Sequence, residues 1–330
     1  MVDILLLIAG FAMLLVGGDV LVRGAVRLSE RLGLSPLLIG LVIVGLGTSL
    51  PELATSVQAA IIGAPGIALG NIVGSNMANG LMILGLVALV QPIVVERNIL
   101  WCDGGVGLLA TGLLFVAGLT LGLERVFAMA LLMVLFAYLW RAYRSEQLTP
   151  APEAEHGAAD YRALAAEGVD PALSPHDEPS ASMLKAVVLL VAGLANVVAG
   201  GVVLVDAAIA IATAYGISES VIGLTIVAFG TSAPELATSV IAAIRGQSGL
   251  ALGNVLGSNI YNVALIGGVT GMVAPGAVPE KIMVFDLPLL LGATVLLMIF
   301  AYSGARLNRV EGGVMLSAYI GYILWTADLI

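Results

Sequence analysis

Residues 39–79 recur without a gap, 183 positions later, as residues 222–262, and 28 of the 41 aligned positions are identical. Each copy is largely apolar, and each carries the same two costly residues in mid-segment. The first reads Gly-Thr-Ser-Leu-Pro-Glu at 47–52 and the second Gly-Thr-Ser-Ala-Pro-Glu at 230–235. A proline inside a helix removes one backbone hydrogen bond and clashes with the carbonyl four residues back. A carboxylate inside an apolar span costs at least several kcal/mol unless it is paired, hydrated or holding a cation. Repeating both liabilities in the two halves of one chain suggests a site rather than an accident.

The setting of the repeat is a membrane. The 330 residues are 60% hydrophobic and only 11% charged, against about a quarter charged in soluble proteins. The fold class predicted is an all-α polytopic membrane protein. Apolar segments fall at 3–26, 36–62, 66–90, 99–119 and 125–143, then at 183–213, 219–245, 249–274, 283–302 and 311–329. Each is about 20 residues or more, the length a hydrocarbon core of roughly 30 Å requires, which predicts ten transmembrane helices. The first begins at the N-terminus, which lacks the positive region of a cleaved leader. With the N-terminus outside, inside loops carry Arg23, Arg27, Arg31, Arg97, Arg141, Arg144, Arg162, Lys185, Arg245, Arg306 and Arg309, and outside loops only Arg125 and Lys281. The positive-inside rule therefore places both termini outside the plasma (inner) membrane. The 41 glycines predict closely packed helices.

Ten spans divide into a first five-helix repeat at 1–143, an acidic linker at 144–182 and a second repeat at 183–330. Five is odd, so the second repeat enters the membrane upside down, an arrangement that places a transporter's substrate site at the midplane between halves. The linker accounts for much of the net charge of −9: residues 145–182 hold eight acidic residues and one basic one, Arg162. It reads as a flexible cytoplasmic tether, and its two histidines, His156 and His176, are weak grounds for a metal site. No basic patch points to nucleic acid, and the single cysteine, Cys102, excludes an internal disulfide. The expected partners are cations and membrane lipid, with the chain acting as a monomer and without a cofactor.

The duplicated phrase has a chemistry. Pro51 has no N–H for the carbonyl of Gly47, and Pro234 none for that of Gly230. Broken backbone at membrane depth is tolerated where it lines a cavity, so the carbonyls of Gly47, Thr48, Gly230 and Thr231 become oxygen donors. Glu52 follows Thr48 by four residues, and Glu235 follows Thr231 likewise, so each pair shares a helix face. Downstream, Gly-Ser-Asn at 74–76 and 257–259 leads to Asn79 and Asn262. Ser75 with Asn79, and Ser258 with Asn262, are read as ion contacts, while Asn71 and Asn254 fit equally well as polar glue between helices. Two carboxylates amid carbonyl, hydroxyl and amide oxygens suit Ca²⁺, and no thiol or imidazole is present to favour zinc or copper. Two glutamates neutralise one divalent or two monovalent ions. Left empty, they would place two like charges together in low dielectric, which favours obligatory exchange over a leak. Among other acids, Asp19 is expected to pair with Arg23, Asp206 is a weaker candidate for an ion path, and Asp103, Glu219, Asp286 and Asp328 lie near span ends where water explains them.

Gly-Thr-Ser-Leu-Pro-Glu-Leu and Gly-Asn-Ile-Val-Gly-Ser-Asn, with their second copies, resemble the α-repeats of the sodium/calcium exchanger family, in the calcium:cation antiporter superfamily, and most of all its short prokaryotic members. The resemblance implies ten helices, with spans 2, 3, 7 and 8 around four cation sites and spans 1 and 6 sliding across them. It implies that Glu52 and Glu235, with backbone oxygens of Thr48 and Thr231, hold Ca²⁺. It also implies that Ser75, Ser258, the hydroxyls of Ser49 and Ser232, and carbonyls near Gly45 and Ala228 help hold Na⁺, with Asn79 and Asn262 meeting at the centre. Some archaeal members carry aspartate where this chain has Asn262, which leaves the ion count open. The function expected is electrogenic Na⁺/Ca²⁺ antiport by alternating access. The alternatives are H⁺/Ca²⁺ or K⁺-dependent exchange and, more remotely, a cation channel or an intramembrane enzyme using the two glutamates as acid and base.

Overall fold

The computed structural model describes residues 2–95, 100–120, 122–148, 182–215, 228–304 and 306–328. The histidines and most of the expected linker lie outside the described residues, as does the start of the expected seventh span. The described chain is helical apart from two short strands. In order these are α1 (Val2–Leu32), α2 (Pro36–Thr48), α3 (Leu50–Ile61), α4 (Pro65–Val90), β1 (Ile93–Val94), α5 (Trp101–Leu119) and α6 (Arg125–Leu148). The second half follows as α7 (Met183–Ala214), α8 (Ala228–Thr231), α9 (Ala233–Ile244), α10 (Ser248–Val273), α11 (Ile282–Phe300), β2 (Arg306–Leu307) and α12 (Arg309–Asp328).

Seven described helices are long and apolar enough to cross a bilayer, and the bent pair α2–α3 makes eight. The two further spans expected from sequence correspond to α8–α9, whose upstream part falls outside the described residues, and to α12. The latter has 20 residues, but Glu311, three glycines and a pair of tyrosines dilute its apolar character.

α1 and α7, equivalent in the two repeats, form the tightest helix pair. Gly10, Gly17 and Gly24 recur every seven residues along one face of α1, as Gly193 and Gly200 do on α7. A Cβ at Gly24 would lie 2.4 Å from the backbone nitrogen of Leu190, one at Gly17 2.8 Å from that of Val197, and one at Gly10 2.7 Å from that of Leu204. As α1 numbers rise, α7 numbers fall. The helices therefore run antiparallel with their backbones in contact, the geometry that small residues permit. Asn196 adds a hydrogen bond to the carbonyl of Met13 at 3.0 Å.

The repeats are also stitched by short strand pairings. Ile93 pairs with Leu307 and Val94 with Arg306, while Leu123 bridges Gly276. They join equivalent segments one residue out of register: at the repeat offset Gly276 corresponds to Ile93 and Leu123 to Arg306, whereas Ile93 pairs with Leu307 and Arg306 with Val94. Each joins a segment leaving one half to a helix start in the other. The ends of α3 and α9 match as well. Gly63 (φ 77°) and Gly246 (φ 72°) adopt the left-handed conformation. Beyond them, Ala64 N–H reaches Ala59 and Gln247 N–H reaches Ala242, each at 2.8 Å, which satisfies the last carbonyls of both helices.

Two acids depart from the sequence expectation. Asp103 and Asp286 lie near span ends but are only 8% exposed. Asp103 accepts from the Tyr138 hydroxyl at 3.0 Å, and Asp286 from that of Tyr322 at 3.2 Å. A tyrosine hydroxyl donates to one oxygen of each. Asp206 is exposed on α7, away from the polar interior, and Glu219 and the Asp328 side chain lie outside the described residues. Asp19 does pair with Arg23, and also with Arg245.

Candidate cation site

The two Gly-Thr-Ser-x-Pro-Glu phrases break their helices at equivalent points. α2 ends at Thr48 and α3 begins at Leu50, bent by 42°. α8 ends at Thr231 and α9 begins at Ala233. At the hinges, Ser49 (φ −81°, ψ 0°) and Ser232 (φ −88°, ψ 4°) leave the helical region, because the proline two residues on cannot supply the next N–H. Glu52 and Glu235 thus sit in the first turn of a restarted helix, buried inside the protein.

α4 and α10 supply the other walls. Each contains a π-helical turn, Ala78–Ile83 and Tyr261–Ile266, of the kind frequent at functional sites. It begins between the serine and the asparagine of each predicted pair, Ser75 with Asn79 and Ser258 with Asn262. Asn76 donates to the carbonyl of Asn259 at 3.1 Å across a separation of 183 residues, the repeat offset. Equivalent residues that touch lie on the axis relating the halves, so the flanking serines and asparagines surround that axis.

Burial is nearly complete. Thr48, Ser49, Glu52, Ser75, Asn79, Ser232, Glu235, Ser258 and Asn262 are each at most 2% exposed. Both carboxylate oxygens of Glu52 and of Glu235 lack a hydrogen-bond partner, as do Ser49 Oγ, Ser75 Oγ, Ser232 Oγ and both polar atoms of Asn79 and Asn262. Native proteins satisfy the large majority of buried polar groups, and an unpaired buried carboxylate is among the costliest exceptions. Orphans gathered around one axis form a cage of oxygens. Among the described residues no three His, Cys, Asp or Glu cluster together, so negative charge comes from the two glutamates and the remaining donors are neutral oxygens, the set that suits a hard cation.

The structure also joins the halves directly. Ser258 Oγ lies 3.3 Å from the Gly45 carbonyl and 3.4 Å from Thr48 Oγ1, which brings three predicted residues from opposite repeats together. Thr231 is half-buried and already engaged in an interaction, and Ala228 is the first described residue of α8. Asn71 and Asn254, which sequence left undecided, aim their amide nitrogens at Ser56 and Ser239 and at the backbone of the two glutamates. Ser56 and Ser239 were missed from sequence, although both recur within the repeat.

The two halves are not seated alike. A Cβ at Gly18 of α1 would meet Ile241 of α9 at 2.6 Å, and one at Gly201 of α7 would meet Pro234 of α9 at 3.3 Å. Both long helices lean on α9. On α9, Ala233 and Thr238 are buried, whereas the matching Leu50 and Thr55 of α3 are exposed.

The chain has relatives over its full length. The family described as Sodium/calcium exchanger protein matches residues 2–144 and 185–327. The chain is 33% identical over 343 residues to the sodium/calcium exchanger MaX1 of Methanosarcina acetivorans, covering 98% of each. It is 32% identical over 329 residues to the inner membrane protein YrbG of Escherichia coli, covering 98% of this chain and 95% of the relative. Among solved structures it matches the sodium-calcium exchanger NCX_Mj, in crystals soaked with Na⁺ and Ca²⁺, with a TM-score of 0.81, 32% identity and 98% of each chain covered. With two copies of the family's repeat and that fold, the chain belongs to the sodium/calcium exchanger protein family and is a multi-pass membrane cation exchanger.

Proposed function

We propose that the protein extrudes Ca²⁺ in electrogenic exchange for Na⁺ by alternating access. The observation that carries this reading is the pair of fully buried glutamates whose four carboxylate oxygens are unpartnered amid orphaned hydroxyls and amides. Glu52 and Glu235, with the backbone oxygens of Thr48 and Thr231, hold Ca²⁺. Ser75, Ser258, Ser49, Ser232 and the carbonyls at Gly45 and Ala228 contribute to Na⁺ sites, with Asn79 and Asn262 at the centre. Two negative charges balance one Ca²⁺ or two Na⁺. Any further Na⁺ in the cycle makes exchange electrogenic, worth about 2.3 kcal/mol per net charge per 100 mV.

The ten-span inverted topology, with both termini outside the inner membrane, is supported by the antiparallel packing of α1 on α7 and by the distribution of basic residues. In that orientation α3 runs toward the outer face. Its exposed side then marks the open path, while α1 and α7 close the path along α9. Moving the α1–α7 pair from α9 to α3 exchanges the open and closed sides.

The test is ⁴⁵Ca²⁺ uptake into proteoliposomes under an imposed outward Na⁺ gradient. The expected result is saturable, Na⁺-dependent, voltage-sensitive uptake that requires a cation on the trans side. Uptake driven equally by a pH step without Na⁺ overturns the assignment of Na⁺, and uptake indifferent to the trans cation overturns exchange. A strict requirement for K⁺ together with Ca²⁺ reassigns the coupling to the potassium-dependent type.

A further inference from the structure

The residues around the cage include one pair whose bonding is duplicated between the repeats. Asn71 Nδ2 donates to Ser56 Oγ at 2.9 Å and to the Glu52 carbonyl at 3.3 Å. In the other repeat, Asn254 Nδ2 donates to Ser239 Oγ at 2.8 Å and to the Glu235 carbonyl at 3.4 Å. Each asparagine grips the backbone of the residue whose carboxylate hangs in the cage, and the serine one turn later. The grip matters because each glutamate stands in the first turn after a break, where no continuous helix upstream fixes its position.

Asn254 does more than its counterpart. It is fully buried, whereas Asn71 is half-buried. Its Oδ1 also lies 3.3 Å from Thr48 Oγ1, across the repeat interface. A threonine hydroxyl has one proton to donate; this amide oxygen at 3.3 Å, Gly45 O and Ser258 Oγ at 3.4 Å, and the neighbouring Glu235 carboxylate compete for it as acceptors. One side chain therefore holds the Glu235 arm from its own repeat and the Thr48 arm of the Glu52 motif from the other. Its nitrogen is engaged within its own repeat and its oxygen across to the other.

We infer that Asn254 is a positioning residue that sets the spacing between the Thr48 and Glu235 ligands, and through it the preference of the site for Ca²⁺ over Na⁺. The inference rests on the cation-exchange reading above. A divalent ion needs both arms at once, at 2.3–2.6 Å, so loosening the strut penalises Ca²⁺ more than Na⁺.

The experiment is equilibrium ⁴⁵Ca²⁺ binding to the purified full-length protein, with Na⁺ as competitor, alongside proteoliposome exchange. Asn254→Ala is expected to weaken Ca²⁺ binding about tenfold, the scale of a lost buried hydrogen bond, with a smaller change in Na⁺ competition. The apparent KM for Ca²⁺ should rise while maximal exchange stays within about threefold. Thr48→Val, which removes the hydroxyl and keeps the backbone carbonyl, should act in the same direction. The double variant should be no worse than the more severe single one, since both break the same strut. If Asn254→Ala does not fold, Thr48→Val carries the same comparison. Unchanged Ca²⁺ preference in these variants, a loss confined to maximal rate, or additive effects overturn the inference. A wild-type protein that binds no Ca²⁺ instead overturns the exchange reading itself.

Discussion

Asp19 of α1 accepts hydrogen bonds from Arg23 on its own helix and from Arg245 at the end of α9. The contact with Arg245 ties a helix proposed to move to the one on which it rests, and it has no image in the other half. Subtracting or adding the 183-residue offset places Val202 at the position equivalent to Asp19 and Ile62 at that of Arg245. In the proposed cycle the packing of α1 and α7 is exchanged between α9 and α3, but α3 offers no counterpart of this ion pair.

The first prediction concerns that asymmetry. Both side chains are 27% exposed, so the pair is worth about 0.5–1 kcal/mol after screening by solvent, a two- to fivefold bias. Arg245→Ala or Asp19→Asn should shift the protein toward the conformation in which α1 and α7 lean on α3. In a Cys102→Ser background, Ala54→Cys reports on the exposed side of α3, and its labelling by an impermeant maleimide should slow by up to that factor. Labelling unchanged by either latch variant would show that the pair does not bias the conformations.

The second prediction concerns the glutamates. Glu52→Gln or Glu235→Gln removes half of the charge that balances Ca²⁺ and should abolish Na⁺-driven ⁴⁵Ca²⁺ uptake. The same variants also relieve a repulsion between buried carboxylates, so in chelator their thermal midpoints should equal or exceed that of the wild type. Ca²⁺ at a hundred times its Kd stabilises a folded protein by about 2.7 kcal/mol, and this shift should vanish in both variants. Near-normal exchange in either would place the site elsewhere.

A third prediction tests the α1–α7 seam. A Cβ at Gly193 would lie 2.3 Å from the backbone nitrogen of Leu21, whereas one at Gly112 on α5 meets nothing within 4 Å. Backbone cannot step aside as a flexible side chain can. Gly193→Ala is therefore expected to cost about 1–3 kcal/mol, as overpacking does, while Gly112→Ala is neutral or slightly stabilising through helix propensity. Thermal unfolding of the two variants in the same detergent makes the comparison. Equal midpoints would show that the seam yields.

Much of this was legible in the chain because the repeat registers each feature twice. The restarted helices at Ser49 and Ser232 follow from Pro51 and Pro234, and the orphaned Glu52 and Glu235 from their place inside apolar spans. The π-helical turns at Ala78 and Tyr261 were not legible, since they depend on how α4 and α10 pack and leave no mark in residue spacing. Neither was the asymmetry between α3 and α9. Near-identical sequences carry nearly equal local preferences, and which of them α1 and α7 cover is a property of the whole assembly. The directions of Asn71 and Asn254 were open for a related reason: an amide suits an ion or a backbone equally well until its neighbours Ser56 and Ser239 are in place.

The buried Asp–Tyr pairs show where positional reasoning misled, and they supply the last prediction. Asp103 and Asp286 stand at the repeat offset, and each is met by a tyrosine of the following helix, Tyr138 or Tyr322. An acid near a span end invites a reading in terms of water, but burial to 8% exposure at both positions leaves the phenol as the source of a proton. Tyr138→Phe keeps the ring and removes the donor, leaving Asp103 short of a partner, so it should destabilise by about 1–3 kcal/mol. Adding Asp103→Leu should recover most of that loss, because removing both polar partners costs far less than orphaning one. Thermal unfolding of the two singles and the double completes the cycle. Additive losses would mean that the hydroxyl and the carboxylate act independently, and that water reaches Asp103 after all.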